Sequence, residues 1–178
     1  GRTGLFTIPG TGLARVEGAG ARWTVNGPLD LGLFGSAELR VLDGGQVSGT
    51  DAFLGRVAAP GLVAPRNLAL VSGAGSRWTS TGLLAIGGSD SAAGRASDLV
   101  VDDGGRVEAG TLQLWPGSTL QLGGGAVVVA AQLQAGGTID VNGSGTATLQ
   151  GLLTLLPGGA LRVSGNFDGM VLNGPLSV

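Results

Sequence analysis

Val16–Gly32 reads VEGAGARWTVNGPLDLG, and Val71–Gly87 reads VSGAGSRWTSTGLLAIG. At a shift of 55 the two stretches agree at ten of seventeen positions, among them Arg22/Arg77, Trp23/Trp78 and Thr24/Thr79. Downstream, Leu39–Val47 (LRVLDGGQV) agrees with Leu99–Val107 (LVVDDGGRV) at six of nine positions, at a shift of 60. The five extra residues fall in GSDSAAGRA, Gly88–Ala96, which reads as a surface loop. Insertions confined to turns are what a stack of coils tolerates. A weaker third copy, Val163–Val178, aligns on Val16–Leu31 at a shift of 147, with Met170 where Trp23 stood.

Within the copies, short segments alternate apolar and polar residues: Leu29-Asp30-Leu31, Leu39-Arg40-Val41, Leu112-Gln113-Leu114, Leu120-Gln121-Leu122, Ile139-Asp140-Val141 and Leu161-Arg162-Val163. That period of two marks half-buried strands. Turn formers lie between them, including Asp43-Gly44-Gly45, Asp103-Gly104-Gly105, Pro116-Gly117 and Asn142-Gly143. No helical period is sustained. Glycine supplies 37 of 178 residues, roughly three times the usual share of about 7%, without a collagen period. Hydrophobic residues reach 43% and charged residues only 12%, the reverse of a disordered chain.

Strands of three to five residues, evenly spaced, favour a solenoid over a sandwich. A return at 55 to 60 fits three coils of about 18 to 20 residues each. The expected fold is therefore all-β: a parallel β-helix (β-solenoid) of about nine coils, one domain over 1–178. Its repeat copies are 13–47, 68–107 and weakly 161–178, with loops at 48–67 and 88–97. Antiparallel hairpins at the Asn-Gly turns remain the alternative.

The pattern V-x-G-x-G-x-x-W-T-x-x-G-x-L-x-[LI]-G, followed by L-x-V-x-D-G-G-x-V, resembles the passenger-domain repeats of bacterial autotransporter proteins. The resemblance covers most of 13–178, including the T-L-Q-L-x-P-G-S-T-L-Q-L-G-G-G run near Thr111. It implies a right-handed helix, a handedness the usual crossover preference also favours. It further implies display on the bacterial surface or outside the cell, with roles in adhesion, aggregation or biofilm. The family's C-terminal membrane barrel has no counterpart in this sequence. The chain begins at Gly1 without a methionine, shows no signal peptide and reads as a mature chain or an excised segment.

Chemistry is sparse. Cysteine, histidine, tyrosine and lysine are absent, and all ten basic residues are arginine. This removes disulfides, thiolate or histidine metal sites, serine triads and P-loops. Net charge is −2 with no basic run, so nucleic acid is not an expected partner. The apolar run near Ala126–Ala131 is too short to cross a membrane. Asp102 and Asp103 read as turn residues, and Asp30, Asp51, Asp140 and Asp168 as scattered carboxylates, not the clustered set a carbohydrate-cleaving β-helix needs. Asp90, Asp102 and Asp103 are candidates for calcium, but the nonapeptide calcium repeat is missing. No catalytic, metal or cofactor residue is expected, and the chain reads as a non-enzyme.

Trp23 and Trp78 read as matching core positions, and Trp115 as the more exposed tryptophan and a candidate sugar platform. Leu5 and Phe6 at one end, and Leu176 and Val178 at the other, are candidates for end-to-end self-association, since strand-like ends recruit another chain. The expected function is a surface stalk or adhesin segment contacting a host or cell-surface carbohydrate or protein. The alternatives are a filament subunit and, behind it, a polysaccharide-active enzyme.

Overall fold

The computed structural model describes residues 2–3, 6–8, 12–33, 35–57, 66–164 and 169–178. Among them there is no helix. The strands form a twelve-stranded and a seven-stranded sheet, and every strand pairing is parallel. The hairpin alternative therefore falls. The sole antiparallel contact among the described residues is an isolated bridge, Gly88 to Ala93.

The front sheet runs through Arg2–Thr3, Arg22–Asn26, Gln46–Gly49, Arg77–Ile86, Arg106–Leu114, Val127–Ala135, Thr146–Leu155 and Gly169–Asn173. The back sheet runs from Gly12–Glu17 through Ala37–Leu42, Asn67–Ser72, Ser97–Asp102, Thr119–Leu122 and Thr138–Val141 to Ala160–Val163. A third side is made by Phe6–Ile8, Leu29–Leu31 and Ala52–Leu54, then by the far halves of the long front strands, which bend to continue it.

Parallel in-register pairing puts like positions in columns about 4.8 Å apart per rung. The alternation seen in sequence becomes continuous apolar columns. Val41, Val71, Val101, Leu122 and Val141 stack on one another, as do Leu39, Ala69, Leu99, Leu120 and Ile139. All ten are fully buried. Trp23 stands beside Val47, and Val47 beside Trp78, so the indoles share one inward column with a small residue between them. Trp78 is 1% exposed and Trp23 is half-buried against the same core. Both take the core role the repeat assigns them.

That register corrects the repeat arithmetic. The 55-residue shift spans two rungs, not three, of 24 and 31 residues. From Val107 to Val128 and on to Leu149 the step settles at 21. The front sheet accordingly carries eight strands among the described residues, where coils of 18 to 20 residues implied about nine. The third copy is also re-placed. Leu149 pairs with Leu172, so Leu172 and not Met170 occupies the Trp23 column. Leu176 does continue the column that contains Leu29.

Two boundaries shift as well. The expected loop 48–67 contains the strand Ala52–Leu54, whose three residues are all buried. Its middle residue, Phe53, is apolar and lies under the Arg56 guanidinium, so no polar residue alternates there. The long front strands reach nine or ten residues, because the chain turns that corner with a register shift, as between Ser80 and Leu83, and without leaving the ladder.

The D-G-G corners have a sharp physical reason. Asp43 and Asp103 sit at φ 51° and 48°, and Gly44 and Gly104 follow at 88° and 81°. A Cβ on the second glycine would lie 2.3 Å from the Val16 carbonyl oxygen at Gly45 and 2.2 Å from that of Val71 at Gly105. Aspartate tolerates the left-handed turn, and glycine alone lets the next rung approach. Another corner is held by a buried polar stack. The Ala37 amide donates to Asn67 Oδ1 at 2.8 Å, Asn67 Nδ2 donates to Ser97 Oγ at 3.2 Å, and the Ser97 amide donates to Ser118 Oγ at 3.2 Å.

Truncating Trp78 to alanine empties the widest buried position. It is expected to destabilise the fold by about 3–5 kcal/mol, and Trp23→Ala by clearly less, read as urea midpoints followed by circular dichroism.

Candidate functional surface

Three parts of the surface carry unusual chemistry. The first is the loop between the Arg77–Ile86 and Ser97–Asp102 strands. Ser89 organises its tip: the Ser89 amide donates to the Ala92 carbonyl at 2.8 Å, and Ser89 Oγ accepts the amides of Ser91 and Ala92 at 3.2 and 3.0 Å. Trp115, one rung on, donates its indole N–H to the Ser89 carbonyl at 2.9 Å. A Cβ on Gly88 would meet the indole at 2.5 Å, so the ring packs over that glycine. Arg95 leaves the loop by donating to the Gly35 carbonyl at 2.6 Å. Trp115 is half-buried and pins the loop. That geometry supplies a packing role for the ring.

The second part is the covered third side. Asp30, 1% exposed, points outward from its strand beneath this cover. Its Oδ2 accepts from Arg56 Nη1 at 3.2 Å and its Oδ1 has no partner. Arg56 lies 4.2 Å over the Phe53 ring. Burial pushes the Asp30 carboxyl above its ordinary value, against the pull of Arg56.

The third part is the outer face of the front sheet. Residues flanking the inward Trp23 and Trp78 must point outward, so Arg22, Gln46, Arg77 and Arg106 form one column, and Thr24, Ser48, Thr79 and Glu108 the next. Between Arg22, Thr24, Gln46, Ser48, Arg77 and Thr79 lies a shallow groove of about 250 Å³. Ser48 Oγ donates to Thr24 Oγ1 at 3.3 Å. Glu108 is shared by Arg77 and by Arg106, whose Nε lies 2.6 Å away. Burial raises the Glu108 carboxyl, but the two guanidiniums outweigh it and hold the group below the ordinary carboxylate range. In the sequence Arg22 and Arg77 stand out only as repeat matches. The R-W-T spacing around an inward tryptophan was the available signal.

The carboxylates do not converge. Asp51 Oδ1 accepts the Leu83 amide at 2.8 Å as a corner cap, and Asp140 accepts from Asn142 at 3.2 Å on the back sheet. Asp103, in its turn, accepts from Ser72 Oγ at 3.4 Å. Among the described residues no three acidic side chains gather as a metal site, and Asp168 lies outside them. Leu176 and Val178 are 48% and 96% exposed on the last rung. Leu5 lies outside the described residues, and Phe6 belongs to the strand paired with Leu29–Leu31.

The chain is 34% identical to the BmaC autotransporter adhesin of Brucella suis biovar 1 (strain 1330), over an alignment of 202 positions that covers 92% of this chain. The chain is autotransporter-adhesin-like. It spans 6% of that adhesin's length. The likeness indicates a bacterial cell-surface or extracellular location. No family model matches the chain, and no solved structure matches it.

Two outcomes follow for this adhesin-like chain. Trp115→Phe keeps the packing but loses the Ser89 bond, so limited proteolysis is expected to cut the 89–93 tip faster while the urea midpoint moves far less than for Trp78→Ala. For Glu108, a lowered folded-state value means a stabilising contribution present above the unfolded value of about 4.3, lost as pH falls through the lower folded value. Glu108→Gln should therefore flatten the acid limb of a stability–pH curve.

Proposed function

We propose that this chain is a non-enzymatic segment of a bacterial surface adhesin. A right-handed β-helix serves as a rigid stalk, and contacts are made by its outer columns and its pinned loop, in attachment, aggregation or biofilm. The likeness to an adhesin over 92% of the chain carries this reading. The unbroken parallel columns support it, since stacking neighbours is how such a rod gains stability along its length. Host or cell-surface carbohydrate or protein is the class of partner.

The test is display of the chain on a non-adherent bacterium. Attachment to cultured cells and settling of suspended bacteria are expected to rise. An unchanged count at matched display levels would refute the reading.

End-to-end self-association is a second reading, favoured by the apolar side chains left exposed on the last described rung: Val163, Leu176 and Val178. Electron microscopy of the isolated 178-residue chain decides it. Filaments support it, and monodisperse short rods at high concentration oppose it.

A further inference from the structure

We propose that the groove on the outer front face, lined by Arg22, Thr24, Gln46, Ser48, Arg77 and Thr79, binds an anionic polysaccharide laid along the helix axis. The proposal names a partner class for the adhesin reading and rests on that reading for its biological use.

Charge comes first. On and beside the back sheet Arg15 is met by Glu17, Arg40 by Glu38 at 2.5 Å and Arg66 by Asp98 at 2.6 Å, which leaves Arg162, alone on the last rung, without an ion pair among the described residues. Arg22 has no such partner among the described residues, and Arg77 must share Glu108 with Arg106. Three guanidiniums and one carboxylate leave this face net positive on a chain that is net negative. Farther along, the same two columns become Val127, Thr148 and Val171, and Val129, Gln150 and Asn173, so the positive stretch is confined to the first rungs.

Shape and hydrogen-bonding capacity decide the occupant. The columns run across the strands, so an occupant that meets Arg22, Gln46 and Arg77 in turn must be elongated along the rod. The backbone amides of this face are spent in the ladder, which denies a peptide the strand-addition mode. The indoles of Trp23 and Trp78 point inward, so the groove lacks the stacking platform that single-stranded nucleic acid uses. What it offers is a row of hydroxyls, an amide and two guanidiniums. Hydroxyls exchange hydrogen bonds with sugar hydroxyls, and guanidiniums pair in forked fashion with carboxylate or sulfate.

The experiment titrates the full 178-residue chain with labelled polygalacturonate and heparin, with neutral dextran and single-stranded DNA as comparisons. Binding to at least one acidic polysaccharide, weakening as salt rises, and no binding to dextran are expected. Arg22→Ala and Arg77→Ala should each weaken it about tenfold. Ser48→Glu should abolish it, and Arg162→Ala on the back sheet should leave it unchanged. Circular dichroism checks that each variant keeps its fold, and Arg22→Ala, which removes no ion pair, keeps the test decisive if another variant unfolds. No binding to either acidic polysaccharide, equal binding to dextran or to DNA, or an equal loss in Arg162→Ala would overturn the proposal. Cell attachment that survives in the Arg22→Ala/Arg77→Ala double variant overturns the groove and leaves adhesion standing. Polysaccharide binding without any cell attachment does the reverse.

Discussion

Everything in this molecule depends on strand-to-strand register along the axis. A single rung has too few apolar side chains to exclude water by itself. Each column must present a compatible residue about every 4.8 Å, or the core opens on one side. The Trp23–Val47–Trp78 column shows the constraint at work. Two indoles fit one inward column because a valine separates them. The D-G-G corners serve the same end, since a side chain at Gly45 or Gly105 would drive the rungs apart.

The fold was legible wherever residues repeat the same local task. Alternation gave the strands their inward and outward faces, and the aspartate-glycine runs marked corners that the φ angles confirm. The rung length was not legible. The similarity returns only at 55 because two unequal rungs, of 24 and 31 residues, lie between the tryptophans, and Val47 in the middle carries no R-W-T flag. Ala52–Leu54 was missed for a related reason. A strand covered on both faces loses the alternation that identifies it.

The candidate surface was legible in part. Trp115 stood out as an aromatic beside a turn, but its partner, the Ser89 carbonyl, lies 26 residues back on the preceding rung, and no local pattern encodes that contact. The front groove was encoded locally, as arginine and threonine on either side of an inward tryptophan. It gathers meaning only when Gln46 and Ser48 from the intervening rung are set between the two copies. The buried polar corner is held by an amide side chain, Asn67, whose stack with Ala37 and Ser97 joins three rungs and has no signature in a single repeat.

Because every strand runs parallel and each rung's backbone bonds point along the axis, a pull on the two ends loads the ladder as a zipper and not in shear. The terminal rung carries the load first, and its loss passes the load to the next. A rung of 21 residues that occupied about 4.8 Å of rod releases about 70 Å of chain when it opens. Under tension such a ladder lengthens in steps, each far larger than the rise it replaces, while the rungs not yet reached keep their surfaces intact.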